Sequence, residues 1–240
     1  MASYLLQSGV YELLANGAYA MTSTGGATTS DIDTFEDNDL SEYTGDTGSY
    51  GVQSTEARDG TYALEATTTA GYETIRSTSG LNDYPQQGDI FEYWWRPQAN
   101  TSEGGMVFGY DGTGQELYRV NVSTTGKFEI NKWTAGADSR LVGSDEQIPI
   151  LGTSAWYRVA VEWNAGDTDI VAHIFDDTDT ELTGSPITAS GETSYNHTGI
   201  GWDSDNDPSY FDSATITDEV GGGGGGGGGG TEGSLIDSFE

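Results

Sequence analysis

Residues 155–176 constrain the fold of this chain more than any other stretch. From residue 156 to residue 163, two sets of side chains alternate along the chain: Tyr157, Val159, Val161 and Trp163 in one set, and Trp156, Arg158, Ala160 and Glu162 in the other. A period of two is the signature of a half-buried β-strand. A polar loop containing Gly166 then leads into a second β-branched and aromatic run at 170–176. Together the two runs predict an antiparallel hairpin.

Much of the remaining chain follows the same pattern. Strand-like runs separated by turn residues lie at 51–65, 88–96, 105–110, 117–122, 127–133, 199–202 and 210–216. No helical periodicity of useful length interrupts them. Many short strands with frequent turns predict an all-β, antiparallel sandwich.

The first 25 residues contain a short repeat, in which a tyrosine begins each unit and a glycine ends it. Asn16-Gly17 is a strong hairpin signal, so the segment is predicted to be a small N-terminal β-meander. So short a sheet buries too little surface to be stable alone. We therefore expect residues 1–25 to anchor the protein and assemble it into a homo-oligomer, a trimer or pentamer. The assembly residues are predicted to be Tyr4, Leu5, Leu6, Tyr11, Leu13, Leu14, Tyr19 and Met21.

Composition shifts predict the other boundaries. Residues 26–30 are expected to be a linker, 31–219 the sandwich domain, and 220–233 a second linker containing the glycine run 221–230. Residues 234–240 resemble residues 30–36. They are predicted to begin a second copy of the same domain.

Charge narrows the classes of partner. The chain has 39 acidic residues against 8 lysines and arginines, for a net charge of −31, which excludes nucleic acid as a partner. We interpret this acidity as adaptation to high salt, which screens self-repulsion; an acidic domain from an ordinary source is the alternative. No apolar run is long enough to predict a membrane span, and the N-terminus lacks the pattern of a signal peptide.

Four segments carry a family resemblance. They are the opening Phe35-Glu-Asp-Asn-Asp-Leu-Ser41, the run Asp59-Gly-Thr-Tyr-Ala-Leu-Glu65, the hairpin Trp156-Tyr-Arg-Val159 and the closing Tyr210-Phe-Asp-Ser-Ala-Thr-Ile216. In this order they resemble the concanavalin A-like, laminin-G-like jelly-roll domain, from Asp31 to about Asp218. The resemblance implies an antiparallel jelly-roll β-sandwich. The repeat in residues 1–25 resembles the N-terminal attachment segments of tailed-virus structural proteins.

One motif raises the question of catalysis. Asp31-Ile-Asp-Thr-Phe-Glu36 approximates the Glu-x-Asp-x-x-Glu strand of retaining glucanases in this fold class, where two carboxylates share the work of glycoside cleavage. Here the first acid is the shorter Asp31, and the second copy has Leu235 at that position. We predict that the protein is not an enzyme, with a retaining glycoside hydrolase as the remote alternative.

Three tryptophans are the candidates for ligand contact. By alternation, Trp94, Trp133 and Trp156 lie on polar strand faces, where an indole can stack on the apolar face of a sugar. The predicted glycan-binding residues are Trp94, Arg96, Trp133, Trp156 and Arg158. The alternative is that loops or partners cover these rings, as we expect of Trp95 and Trp163 in the core.

One acidic run suggests a metal. Asp203, Asp205 and Asp207 present oxygens at alternate positions, as at the start of a calcium loop, but Pro208 follows and excludes an EF-hand. Structural Ca²⁺ is the one cofactor that the sequence suggests, and a solvated loop is the alternative.

Two classes of function remain open. The first is a surface protein of a halophilic archaeal tailed virus, a spike, turret or tail fibre. Its N-terminal segment would bind other virion proteins, and its jelly-roll head would contact a glycan or glycoprotein of the host. The second is an extracellular halophilic adhesin or carbohydrate-binding module of a cell surface.

Overall fold

The computed structural model describes residues 29–67, 72–110, 112, 116–205 and 208–217, together with the backbone of three N-terminal strands. Those strands are β1 (Tyr4–Leu6), β2 (Gly9–Leu13) and β3 (Tyr19–Thr22), and they pair antiparallel in the order β1-β2-β3. The predicted meander is therefore confirmed. The predicted assembly side chains, the glycine run and residues 234–240 lie outside the described residues, so the assembly role, the second linker and the second domain copy stay predictions.

One sheet of the sandwich, called the front sheet, contains seven strands in the order β13-β12-β11-β10-β17-β8-β5. Their bounds are β5 (Tyr43–Gly45), β8 (Glu73–Ser77), β10 (Glu103–Tyr110), β11 (Glu116–Ser123), β12 (Phe128–Thr134), β13 (Ala137–Ser144) and β17 (Gly199–Asp205). All neighbours in this sheet pair antiparallel.

The other sheet, called the back sheet, has eight strands, of which seven follow the order β16-β15-β14-β9-β18-β7-β6 while β4 pairs with β18. Their bounds are β4 (Ser30–Asp33), β6 (Tyr50–Gln53), β7 (Ala63–Ala66), β9 (Ile90–Pro97), β14 (Tyr157–Trp163), β15 (Ile170–Phe175), β16 (Ile187–Ala189) and β18 (Ser209–Thr217). The predicted hairpin is β14 paired with β15.

The core lies between the two sheets, and it confirms the alternation found in the sequence. Tyr157, Val159, Val161 and Trp163 all belong to it, as do Trp95 and Trp202. Trp202 lies among aromatic rings and donates its indole N–H to the hydroxyl of Tyr43 at 3.1 Å. Large rings from facing sheets interdigitate in this way to form the core of a sandwich.

The described strands thus form an all-β jelly-roll sandwich, as the sequence predicts. The described part of the chain contains no helix with the length and hydropathy to cross a membrane. The sandwich presents two outer faces. The front face is the outer side of the front sheet and the back face is the outer side of the back sheet.

Candidate functional site

The front face contains a cross-strand row of three arginines that are separated by small or neutral residues. From β8 to β13 its members are Arg76, Gly201, Val107, Arg119, Asn131 and Arg140. Directly opposing residues in an antiparallel sheet have Cβ atoms only about 5 Å apart. Arginine side chains from three strands therefore share one face of the sandwich.

Arg119 is the central member of this row and is only 2% exposed. Its guanidinium donates to Asp203 at 2.6 Å and to Asp138 at 2.9 Å, and the ring of Tyr72 lies 4.7 Å from its Cζ. Burial alone would lower the pKa of Arg119, but the two carboxylates outweigh burial and hold the pKa above its ordinary value. Arg119 is thus a rigid cation whose position is set by its partners.

Further carboxylates on this face are also occupied. Glu103 accepts two hydrogen bonds from the Lys127 ammonium, at 2.8 and 2.7 Å, and one from the Tyr72 hydroxyl at 3.1 Å. Glu129 pairs with Arg140 at 2.5 Å. Because Glu103 holds the Tyr72 hydroxyl while Arg119 lies against its ring, this partly exposed aromatic side chain is oriented before any ligand arrives.

An apolar patch lies next to the arginine row. Val107, Tyr110 and Leu117 form a buried cluster separate from the main core, and Trp133 packs against them, half-buried. Apolar side chains, including the half-buried indole of Trp133, therefore lie beside the charged groups of the arginine row. This part of the front face is amphipathic.

A cleft of about 220 Å³ opens where the patch meets the row. Its walls include Tyr72, Trp133, Val107, Leu117, Arg119 and Asp203. Arg76 and Thr74 line it as well. The cleft therefore combines two aromatic rings, an apolar floor and fixed hydrogen-bonding groups, which is the composition of a small-molecule site.

Trp133 is the one predicted glycan-binding residue that lies in this cleft. The prediction grouped it with four residues that belong to the other side of the molecule: Trp94 and Arg96 in β9, Arg158 in β14, and Trp156 just before β14. Alternation identified the outward side of each strand correctly, but it does not say to which sheet a strand belongs. The structure does not bring the five residues together.

Two of these back-face residues are buried rather than available to a ligand. Trp94 is only 8% exposed, with the Arg58 guanidinium 4.2 Å from its ring. Arg158 is fully buried and donates to Glu92 at 2.7 Å and to Asp179 at 3.0 Å. The covered ring of Trp94 and the ion-paired Arg158 are explained by packing.

Two acids of the predicted metal-binding run lie in a strand. Asp203 and Asp205 belong to strand β17, and Asp203 is paired with Arg119, whereas Asp207 lies outside the described residues. Elsewhere, exposed or half-buried carboxylates of Asp37, Asp39 and Glu42 come within 4.8 Å of one another, near enough to share a cation. Calcium binding stays a prediction.

The glucanase-like motif has structural partners. Asp33 accepts hydrogen bonds from the Tyr43 hydroxyl and the Phe35 amide, while Glu36 accepts from the amides of Thr61 and Tyr62. Asp31 is exposed in β4. Two of the three acids thus brace loops, and none lines the front cleft.

Sequence reasoning missed Tyr72, Arg76 and Arg119. A signal was available for Arg119, because the run Leu117-Tyr-Arg-Val-Asn-Val122 places Arg119 and Asn121 on the side away from Tyr118 and Val120. No such signal was available for Tyr72, which precedes β8 and is not part of an alternating run.

Comparison with known proteins places the fold. No protein-family model matches the sequence, and no curated protein matches it. Among solved structures, the carbohydrate-binding module CBM66 from Bacillus subtilis is similar with a TM-score of 0.55 and 14% identity, over 73% of this chain and 95% of that one. A β-glucanase from Bacillus licheniformis has a TM-score of 0.47 and 12% identity, over 82% of this chain and 100% of that one.

A third similar structure is the metal-free lectin I-B4 from Griffonia simplicifolia, with a TM-score of 0.44 and 9% identity over 80% of this chain and 98% of that one. At these identities a likeness shows the fold alone. The chain has the concanavalin A-like jelly-roll fold that the sequence suggested.

Proposed function

We propose that this protein is a non-catalytic carbohydrate-binding module and that its site is the front cleft. The observation that carries the proposal is the meeting, in one cleft, of Trp133 and Tyr72 with the buried pair of Arg119 and Asp203. A saccharide has an apolar ring face and a rim of hydroxyl groups, and the cleft offers a surface for each.

The aromatic and the charged residues of the cleft would contact different parts of the sugar. Trp133, supported by the patch beneath it, stacks on the apolar face of a sugar ring. Arg119 and Asp203 supply a donor and an acceptor whose positions are fixed by their own ion pair. Because these groups are already ordered, binding loses little side-chain entropy. Carbohydrate-binding modules are known on this fold, which supports the proposal without identifying the sugar.

The test compares two tryptophans on opposite faces. Trp133→Ala is expected to weaken binding to a glycan identified by array screening by about 1–3 kcal/mol, or roughly five- to 150-fold in Kd. Trp94→Ala is the matched control, because it removes the same side chain from the back face. Calorimetry with both variants measures the difference, and thermal melts show whether each variant remains folded.

The opposite pattern would move the site. If Trp94→Ala abolishes binding and Trp133→Ala does not, the ligand binds the back face and the proposed site is wrong. Hydrolysis of a β-glucan that disappears in Glu36→Gln would instead favour the glycoside hydrolase.

A narrower proposal concerns where the module works. We propose a surface position on a halophilic virus, because the net charge of −31 suits high salt and strands β1, β2 and β3 form a three-stranded sheet of their own. An adhesin of a cell surface is the alternative. Deleting residues 1–25 should leave a folded, monomeric domain that no longer assembles; an unchanged oligomer in analytical ultracentrifugation would contradict the assembly role.

A further inference from the structure

Arg76 differs from every other cation of the described chain. The eight lysines and arginines all lie in described segments, and seven of them have a carboxylate within 4.0 Å: Arg58, Arg96, Arg119, Lys127, Lys132, Arg140 and Arg158. Arg76 has no such partner among the described residues. With 39 acidic residues available, pairing is the ordinary state of a cation here, so an arginine without a carboxylate calls for a reason.

The surroundings of Arg76 place it at the cleft. It lies in β8 between Thr44 of β5 and Gly201 of β17, and it lines the cleft beside Thr74. Its Cζ is 5.5 Å from the centre of the Tyr110 ring, and its Nε is buried with no hydrogen-bond partner. A guanidinium held against an aromatic ring in this way has a restricted orientation.

The neighbours of Arg76 keep the space beside it free of competing side chains. Gly201 has no side chain, and an added Cβ there would lie 2.0 Å from the carbonyl oxygen of Ile75. Of the acids that line the cleft, Asp203 binds Arg119 and Asp46 accepts the amide of Thr74 at 3.0 Å. Arg119 is therefore a neutralised cation in the cleft, whereas the charge of Arg76 has no described carboxylate partner.

We propose that Arg76 binds an anionic group of the ligand, so that the cleft takes an acidic saccharide bearing a carboxylate or a sulfate ester. This inference rests on the proposed function and specifies its ligand class. A guanidinium binds either anion through two parallel N–H donors, a geometry that a neutral hydroxyl cannot match. Trp133 then contacts the apolar face of the sugar ring while Arg76 holds its charged substituent.

The overall negative charge of the protein does not oppose this contact in high salt. At about 1 M salt the Debye length is roughly 3 Å, so distant carboxylates no longer repel an approaching anion. A direct contact with a half-buried guanidinium is screened much less. At this salt concentration a direct contact with Arg76 therefore outweighs the repulsion from distant carboxylates.

The experiment uses two pairs of probes that differ in charge. One pair is oligogalacturonate and its methyl ester, and the other is sulfated and unsulfated dextran oligosaccharide. Calorimetry with the full chain in about 1 M NaCl is expected to show tighter binding of the charged member in at least one pair, by about tenfold or more. The pair that shows the preference distinguishes a carboxylate ligand from a sulfate ligand.

Three variants assign that preference to Arg76. Arg76→Gln should remove this preference, so that the charged and uncharged members of the pair bind the variant with similar affinity. Thr44→Glu places a carboxylate opposite Arg76 and should have the same effect without altering Arg76 itself. Arg58→Gln, on the back face, removes an equal charge and should change neither affinity.

The outcomes separate this inference from the proposed function. Equal affinity for charged and uncharged members in both pairs overturns the inference, as does absence of binding to all four probes. The same holds if the preference survives both Arg76→Gln and Thr44→Glu. Glycan binding that still depends on Trp133 would leave the carbohydrate-binding function standing in each of these cases.

Discussion

The two outer faces of the sandwich are built from similar residues but present different surfaces. Each has a buried arginine held by two carboxylates, Arg119 on the front face and Arg158 on the back face. On the back face Arg158 also lies against Phe175, and Arg58 covers Trp94. The front face instead opens into a cleft beside its arginine.

This difference shows that a buried ion pair does not by itself mark a binding site. Both faces satisfy charges internally, and both have aromatic rings near arginines. The front face differs because a half-buried indole and a cation without a described carboxylate partner border the same concave space. We therefore expect a ligand to bind where side chains still have surface or charge that contacts within the protein do not use.

Breaking the two central ion pairs should have the largest effect on stability. Arg119→Met leaves Asp203 buried without its cation, and Arg158→Met does the same to Glu92. Each is expected to lower the free energy of unfolding by about 3–5 kcal/mol, measured by urea denaturation. In Arg119→Met with Asp203→Leu, much of that stability should return, because no unpaired charge remains buried.

Glycan binding should be lost in only one of these two variants. At temperatures where both variants remain folded, Arg158→Met should bind the ligand as the wild type does, whereas Arg119→Met should bind it weakly. Equal losses in the two variants would mean that the faces do not differ in function.

A change of pH should have a smaller effect on stability, through two buried carboxyl groups of the back sheet. Burial raises the pKa of Asp33 in β4 to about 6, and it raises the pKa of Asp212 in β18 to about 6 as well. Since both values exceed the ordinary 3.8, the folded state binds these protons more tightly than the unfolded state does. Stability should therefore rise by about 2–3 kcal/mol for the two groups together as the pH falls from about 7 to about 5.

Denaturant titrations at a series of pH values test this expectation. Replacing both residues, as Asp33→Asn with Asp212→Asn, should flatten the profile in that range. In the segment between β16 and β17, burial alone would raise the pKa of Glu192, but hydrogen bonds from Ser194, Lys132 and Tyr118 outweigh burial and lower the pKa to about 2. Its contribution is present above about 4.5 and is lost only as the pH falls toward 2. If the stability of the Asp33→Asn, Asp212→Asn variant changes between pH 7 and pH 5 as much as that of the wild type, the assignment of this pH dependence to Asp33 and Asp212 is wrong.

The strands that the sequence predicted differ from those it missed in the interactions that hold them in the sheet. Alternating runs such as β11 and β14 bury one side of their own chain, so their periodicity is visible. Strand β13 is an edge strand with exposed or half-buried residues throughout, and it pairs with β12 without needing an apolar face. β5 and β16 are also short edge strands. Such strands are ordered by their neighbours, which a local pattern does not record.

The candidate site shows the same division. Its sequence marks Trp133 as a tryptophan among polar neighbours, and the alternation around it indicates the outward side of β12 correctly. The same reasoning selected Trp94 and Arg158, whose outward sides are covered or paired. What covers an outward residue depends on loops and side chains distant in sequence, such as Arg58 over Trp94.

The amino-acid sequence was enough to predict the all-β class, the hairpin of β14 and β15, the core positions of the alternating strands and the lack of a basic surface for nucleic acid. These follow from local periodicity and composition, which each segment carries on its own. The folded structure was needed to show that Arg76, Arg119, Trp133 and Tyr72 share one cleft. They come from separate strands and from the segment before β8, and strand order in the sheet brings them together. The structure was also needed to find that Arg76, alone among the eight cations, has no carboxylate partner among the described residues, because ion pairing depends on distances across the fold.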